Sequence, residues 1–243
     1  MKVWIIFFLI NVFGITGFCQ QRVSFYASDG LKITADLYLN NYSSPFILLF
    51  HQNGYSRGEY KDIAEKLLNL DYNCLAVDLR SGGKVNYVKN ETALRAENND
   101  FSNKLLAARN DILAAIEYAG KYNKKPVILF GSSYSASLCM IVGNNNEKVN
   151  AVVAFSPGEY FEPEISVKKE INNFDKPLFV SSSQIEYNYI VEMINEIPAD
   201  IKTLFKHSEG NTAHGAKALW DSNKSSKECW LELLMFFRKI KER

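Results

Sequence analysis

Residues 126–140 read PVILFGSSYSASLCM. An apolar run breaks at Gly131, Ser133 stands among small residues, and a helix-compatible segment follows. A strand that turns sharply into a helix presents the serine at its tip in a strained backbone conformation, with its hydroxyl placed to attack a carbonyl. Gly131 lies two residues before Ser133 and Ser135 two after it, where a bulky side chain would collide with the crossing strand or helix. The pattern is G-x-S-x-S, with Ser135 replacing the usual second glycine.

Such a serine needs a base, an orienting acid and donors for a developing oxyanion, in a fixed chain order. Among the three histidines, His51 precedes the serine and His207 ends an apolar strand candidate over residues 202–206. His214 lies in the polar turn 211–215 beyond that strand, where it can swing over the elbow. It is the candidate base, with His207 the alternative. A strand predicted over 176–180 opens into a loop holding Glu186, whose carboxylate would fix one imidazole tautomer. Glu159, in the loop after a strand predicted over 149–155, is the rival acid. The oxyanion would take the Tyr134 amide and a second amide from the loop 51–54, with Asn53 as donor.

The elements that must position these residues alternate as a doubly wound sheet requires. Residues 22–27 and 32–39 read as an opening antiparallel pair around Ser28-Asp29-Gly30. The uninterrupted apolar run 46–50 suits a buried parallel strand. A helix over 60–70, a strand over 73–78, a helix over 105–118 and late helices over 190–197 and 230–240 complete the order. The stretches 83–100 and 158–175 are polar and charged, and are expected as loops bordering a pocket. Arg57, Arg80 and Lys84 are candidates to meet an anionic substrate, although Arg80 in Asp-Leu-Arg also suits a tie at the strand end.

Together, Phe50-His51-Gln52-Asn53-Gly54, Ser56-Arg57-Gly58-Glu59-Tyr60, Asp78-Leu79-Arg80-Ser81-Gly82-Gly83, Gly131-Ser132-Ser133-Tyr134-Ser135, Ser156-Pro157-Gly158-Glu159-Tyr160 and Ala213-His214-Gly215 resemble the α/β-hydrolase superfamily. Within it, the small cap-less serine hydrolases similar to the dienelactone hydrolase family are nearest. The resemblance implies a three-layer, mostly parallel α/β sheet with Ser133 as nucleophile, His214 as base, Glu186 as acid and oxyanion amides from Asn53 and Tyr134. No cofactor is implied, and no Cys/His spacing resembles a metal site. This chain carries Ser133 where dienelactone hydrolases proper have cysteine, and Gln52 at the place of their glutamate on the third-strand loop.

The chain has 28 basic and 27 acidic side chains and no block of like charge, which argues against a nucleic-acid partner. Residues 1–19 read as a signal peptide: Lys2, an apolar stretch from Val3 to Phe18, then Gly17 and Cys19 as small residues before a cut at Gln20. A lipid anchor through Cys19 would place the bulky Phe18 where a small residue is needed. The expectation is one hydrolase domain over residues 20–243, secreted or periplasmic, without stable membrane insertion once the leader is removed. Cys74, Cys139 and Cys229 remain and supply no disulfide framework. The substrate implied is a small-molecule carboxylic ester, with a peptidase, a thioesterase or a catalytically silent binding protein as alternatives.

Overall fold

The computed structural model describes residues 19–207 and 213–242. The expected leader therefore lies outside the described residues except for Cys19, as do Asn211 and Thr212 of the histidine turn. The antiparallel strands β1 (Cys19–Tyr26) and β2 (Lys32–Leu39) open the fold. They are followed by β3 (Phe46–Phe50), α1 (Lys61–Leu68), β4 (Asn73–Val77), a small hairpin of β5 (Lys84–Val85) and β6 (Val88–Lys89), then α2 (Glu91–Asn98) and α3 (Arg109–Ala119). The second half holds β7 (Val127–Ser132), α4 (Tyr134–Gly143), β8 (Val149–Phe155), α5 (Val167–Glu170), β9 (Leu178–Ser182), α6 (Tyr187–Met193), β10 (Lys202–Lys206) and α7 (Ser226–Lys241).

Eight strands form one sheet in the order β1-β2-β4-β3-β7-β8-β9-β10, parallel from β4 to β10. This is the three-layer, doubly wound, mostly parallel arrangement expected from the sequence. Side chains alternate across the pleat, so Ile47 and Leu49 of β3 join one core with Ile63, Leu67, Phe236 and Phe237 of α1 and α7. Leu48 and Phe50 join the other, with Ile112, Ile116 and Leu138 of α3 and α4 and Ile190 of α6. Coverage on both faces explains why β3 needs five apolar residues in a row. Every residue of α4 is buried, in keeping with its lack of a polar face.

Three expectations need correction. The strand predicted over 176–180 runs from Leu178 to Ser182, because it begins after Pro177 and its polar end still pairs, Ser181 with Phe155 and Phe205. The stretch 83–100 is not a plain loop. Asn86 and Tyr87 both take positive φ (49° and 63°), the requirement of a tight primed hairpin turn, and the Asn90 side chain caps α2 by accepting from Ala93 N at 2.7 Å. The stretch 158–175 likewise carries α5.

Candidate active site

Ser133 sits between β7 and α4 with φ 62° and ψ −127°, a conformation costly for a residue with a Cβ. Surrounding bonds hold it there: Ser133 N donates to Phe155 O at 2.7 Å and Ser133 O accepts from Ala136 N at 2.9 Å. A Cβ on Gly131 would fall 2.5 Å from the backbone of Ser135 and Ala136, so no side chain fits where β7 and α4 cross. Ser135 does more than tolerate its position. Its hydroxyl lies 2.6 Å from Phe50 O and accepts from Ser132 N at 2.9 Å, tying the elbow to the end of β3.

His214 and Glu186 meet. The imidazole Nδ1 lies 2.5 Å from Glu186 Oε1, while Glu186 Oε2 accepts from Ser156 Oγ at 2.8 Å and Ser183 N at 3.0 Å. Burial pushes the Glu186 carboxyl up, but these donors, His214 first, outweigh it and hold the group at about 2. With Nδ1 on the carboxylate, Nε2 is the nitrogen turned away from the acid. Ser156, at the end of β8 with φ 52°, also accepts from Gly215 N at 3.0 Å, so one hydroxyl braces both the acid and the turn after the histidine.

The alternatives have other partners. Glu159 accepts from Ser166 Oγ, Val167 N and Lys168 N, capping the turn that begins α5. His207 is buried, its ring nitrogens 3.0 Å from Ser181 Oγ and 3.2 Å from Ser225 Oγ.

Of the two oxyanion candidates, Tyr134 contributes the first amide of α4, in the turn where a helix offers its N–H groups no internal acceptor. Asn53 is the exposed second residue of a turn closed by Tyr55 N and Gln52 O at 3.2 Å, in which Gly54 takes φ 77°. The base of that loop is rigid. His51 is fully buried and burial lowers its pKa to about 4. As the neutral ring it accepts from Leu79 N at Nε2 (2.9 Å) and holds Gln52 O at Nδ1 (2.8 Å).

Three participants escaped sequence reasoning. Ser156 and Tyr160 were visible only as parts of a motif; the Tyr160 hydroxyl donates to Ser156 O at 3.1 Å. The third is Glu59, fully buried beneath the site, where burial pushes its carboxyl up to about 7 against the donors it accepts from, Gln52 and Ser132. Its spacing from Gln52 on the 3₁₀ turn Arg57–Tyr60 was the available signal. Arg57 and Arg80 are buried in ion pairs, Arg57 with Asp36 and Asp78 and Arg80 with Asp29 and Asp111, and so do not face a substrate. Lys84 lies over the Tyr87 ring on the β5–β6 hairpin.

The model of the dienelactone hydrolase family matches residues 33–201. No curated protein matches the chain. Among solved structures, an esterase from Pyrococcus furiosus is 19% identical with a TM-score of 0.68, over 91% of this chain and 93% of that one. A dienelactone hydrolase from Anabaena variabilis is 14% identical with a TM-score of 0.65, over 90% and 95%. An acylaminoacyl peptidase from Pyrococcus horikoshii is 15% identical with a TM-score of 0.60, over 92% of this chain but 42% of its own. At such identities the likeness is one of fold.

Proposed function

Since the chain belongs to the dienelactone hydrolase family and is a hydrolase acting on ester bonds, we propose that it cleaves a carboxylic ester through an acyl-enzyme on Ser133, with His214 as base and Glu186 as orienting acid. The observation that carries this reading is the 2.5 Å contact between His214 Nδ1 and Glu186, taken together with an elbow serine held at φ 62°. A carboxylate on Nδ1 fixes the tautomer whose Nε2 accepts a proton.

In the first half-reaction Nε2 takes the Ser133 proton as Oγ bonds to the ester carbonyl carbon. The electron pair of the carbonyl moves to its oxygen, where the Tyr134 and Asn53 amides stabilise the charge. Collapse expels the alkoxide, which leaves as the alcohol with the proton from the imidazolium. Water, deprotonated by the same nitrogen, then releases the acid and restores Ser133. The substrate is a small-molecule ester.

The test is covalent labelling by a fluorophosphonate together with turnover of short acyl nitrophenyl esters, a thioester and an aminoacyl anilide. Wild-type protein is expected to label at Ser133 and to prefer the ester. Ser133→Ala is expected to lose on the order of 10⁴-fold or more in rate while staying folded. Substantial esterase activity in that variant would remove Ser133 from the mechanism, and preference for the anilide would make the protein a peptidase.

A further inference from the structure

Glu59 lies seven residues beyond Gln52, yet its carboxylate links the loop after β3 and the end of β7 directly and the histidine turn through Ser132. Gln52 N donates to Oε2 at 2.8 Å and Gln52 Nε2 to Oε1 at 3.2 Å. Ser132 Oγ donates to the same Oε1 at 2.8 Å and itself accepts from Ala216 N at 2.9 Å. Gln52 precedes Asn53, Ser132 precedes Ser133, and Ala216 follows His214 by two residues. Each contact is therefore made one or two residues from a member of the reacting set.

The group is enclosed as well as connected. Glu59 is buried, its backbone carbonyl accepts from Trp220 Nε1 at 3.0 Å, and a Cβ on Gly215 would fall 2.4 Å from Ser132 Oγ. Gly215 also takes φ 72°, so the backbone closes on the serine where no side chain fits.

We propose that Glu59 is a positioning residue that sets the mutual spacing of the oxyanion loop, the nucleophile and the base. This rests on the reading of Ser133, His214 and Asn53 given above. A carboxylate suits the place because the Gln52 main-chain N–H, the Gln52 amide and the Ser132 hydroxyl all approach it as donors. An amide at position 59 keeps one acceptor oxygen, which the fixed Gln52 N–H would take. Its NH₂ would then face the Ser132 hydroxyl and the Gln52 amide, and the link from the elbow to the histidine turn would slacken. Catalysis is sensitive to such displacements because the reacting atoms must be held near their approach geometry.

The test uses the full chain and nitrophenyl acetate. Glu59→Gln is expected to stay folded and to lose about 10- to 100-fold in kcat while KM changes by less than about 3-fold. Ser132→Ala is expected to reduce kcat in the same way, and the double variant to be little worse than either single one, since both cut one chain of contacts. A purely structural Glu59 would shift the unfolding midpoint and leave kcat of the folded protein alone. A folded Glu59→Gln with kcat within about 2-fold of wild type, or losses that multiply in the double variant, would overturn the proposal. Should Glu59→Gln fail to fold, Ser132→Ala decides: a kcat loss in folded protein supports the proposal and an unchanged kcat refutes it. Wild-type turnover and its loss in Ser133→Ala, measured alongside, show whether the underlying triad reading has failed instead.

Discussion

Glu186 and Glu159 follow successive strands and differ in what they hold. Glu186 accepts from His214, whereas Glu159 accepts from two main-chain amides and a hydroxyl at the start of α5. Glu186→Gln should therefore lower kcat by roughly 10²- to 10⁴-fold with little change in stability. Glu159→Gln should leave kcat within a few-fold while costing about 1 kcal/mol, as lost caps do. Steady-state kinetics and thermal unfolding of both variants make the comparison, and a crippled Glu159→Gln beside an active Glu186→Gln would reverse the assignment. Glu59 adds a dependence on pH. Its folded value of about 7 lies above the ordinary 4.5, so the folded state binds the proton more readily between those two values. The stability this contributes is fully present below about pH 4.5 and is lost as pH rises to about 7, amounting to roughly 3 kcal/mol at most. The ammonium of Lys217 opposes burial and trims the effect. Wild type should thus lose stability relative to Glu59→Gln between pH 5 and pH 8, and a difference in melting temperature that stays flat across that range would contradict the shift. The strained turn at Ser133 and the meeting of His214 with Glu186 were legible because such motifs follow a familiar chain order. Glu59 was not, because its partner Ser132 lies 73 positions along the chain and Ala216, which reaches it only through Ser132, lies 157, and the seven-residue spacing from Gln52 does not by itself mark a carboxylate that becomes buried only when those segments meet.

At the scale of elements, strands packed on both faces were the easiest to read. The apolar runs of β3 and β8 ended where the sheet ends them, whereas β9 was misplaced by two residues because its last two residues are serines that pair all the same. Propensity has no reason to favour those serines; the neighbouring strands decide. The hairpin β5–β6 was missed for a related reason, since Asn-Tyr is a weak turn signal and the positive φ of both residues is imposed by its setting. The junction of β7 with α4 allows a direct test. Adding a methyl at Gly131 would bring it within 2.5 Å of main-chain atoms of α4, which cannot retreat as a flexible side chain would. Gly131→Ala is expected to cost about 3 kcal/mol or more and to lower the yield of folded protein. Chemical denaturation measures this, and a variant as stable as wild type would mean that strand and helix can separate at little cost.

Across the whole molecule, two buried arginines tie the outer elements to the sheet. Arg57 reaches Asp36 on β2, Asp78 after β4, and both Lys89 O and Glu91 on the insertion that holds β6 and α2. Arg80 joins Asp29 of the first hairpin to Asp111 of α3. Replacing Arg57 leaves buried Asp78 without its cation and Asp36 with only the exposed Arg22 at 3.9 Å, and Arg57→Met is expected to cost about 3–5 kcal/mol, the size seen when one partner of a buried pair is removed. Because the ion pairs and hydrogen bonds of Arg57 go to Asp36, Asp78, Lys89 and Glu91 and not to Ser133, His214 or Glu186, kcat of the folded fraction should hold near wild type, and a large kcat loss at full stability would show Arg57 to act on the site after all. The strand order carries one more consequence. His214 follows β10, one edge of the sheet and the last of its strands to be made, while Ser133 directly follows β7, near the middle of both sheet and chain. On the proposed triad, a growing polypeptide completes its elbow long before it possesses a base, and the acid arrives between the two. Until β10 pairs with β9, that proposed triad lacks the position of its base.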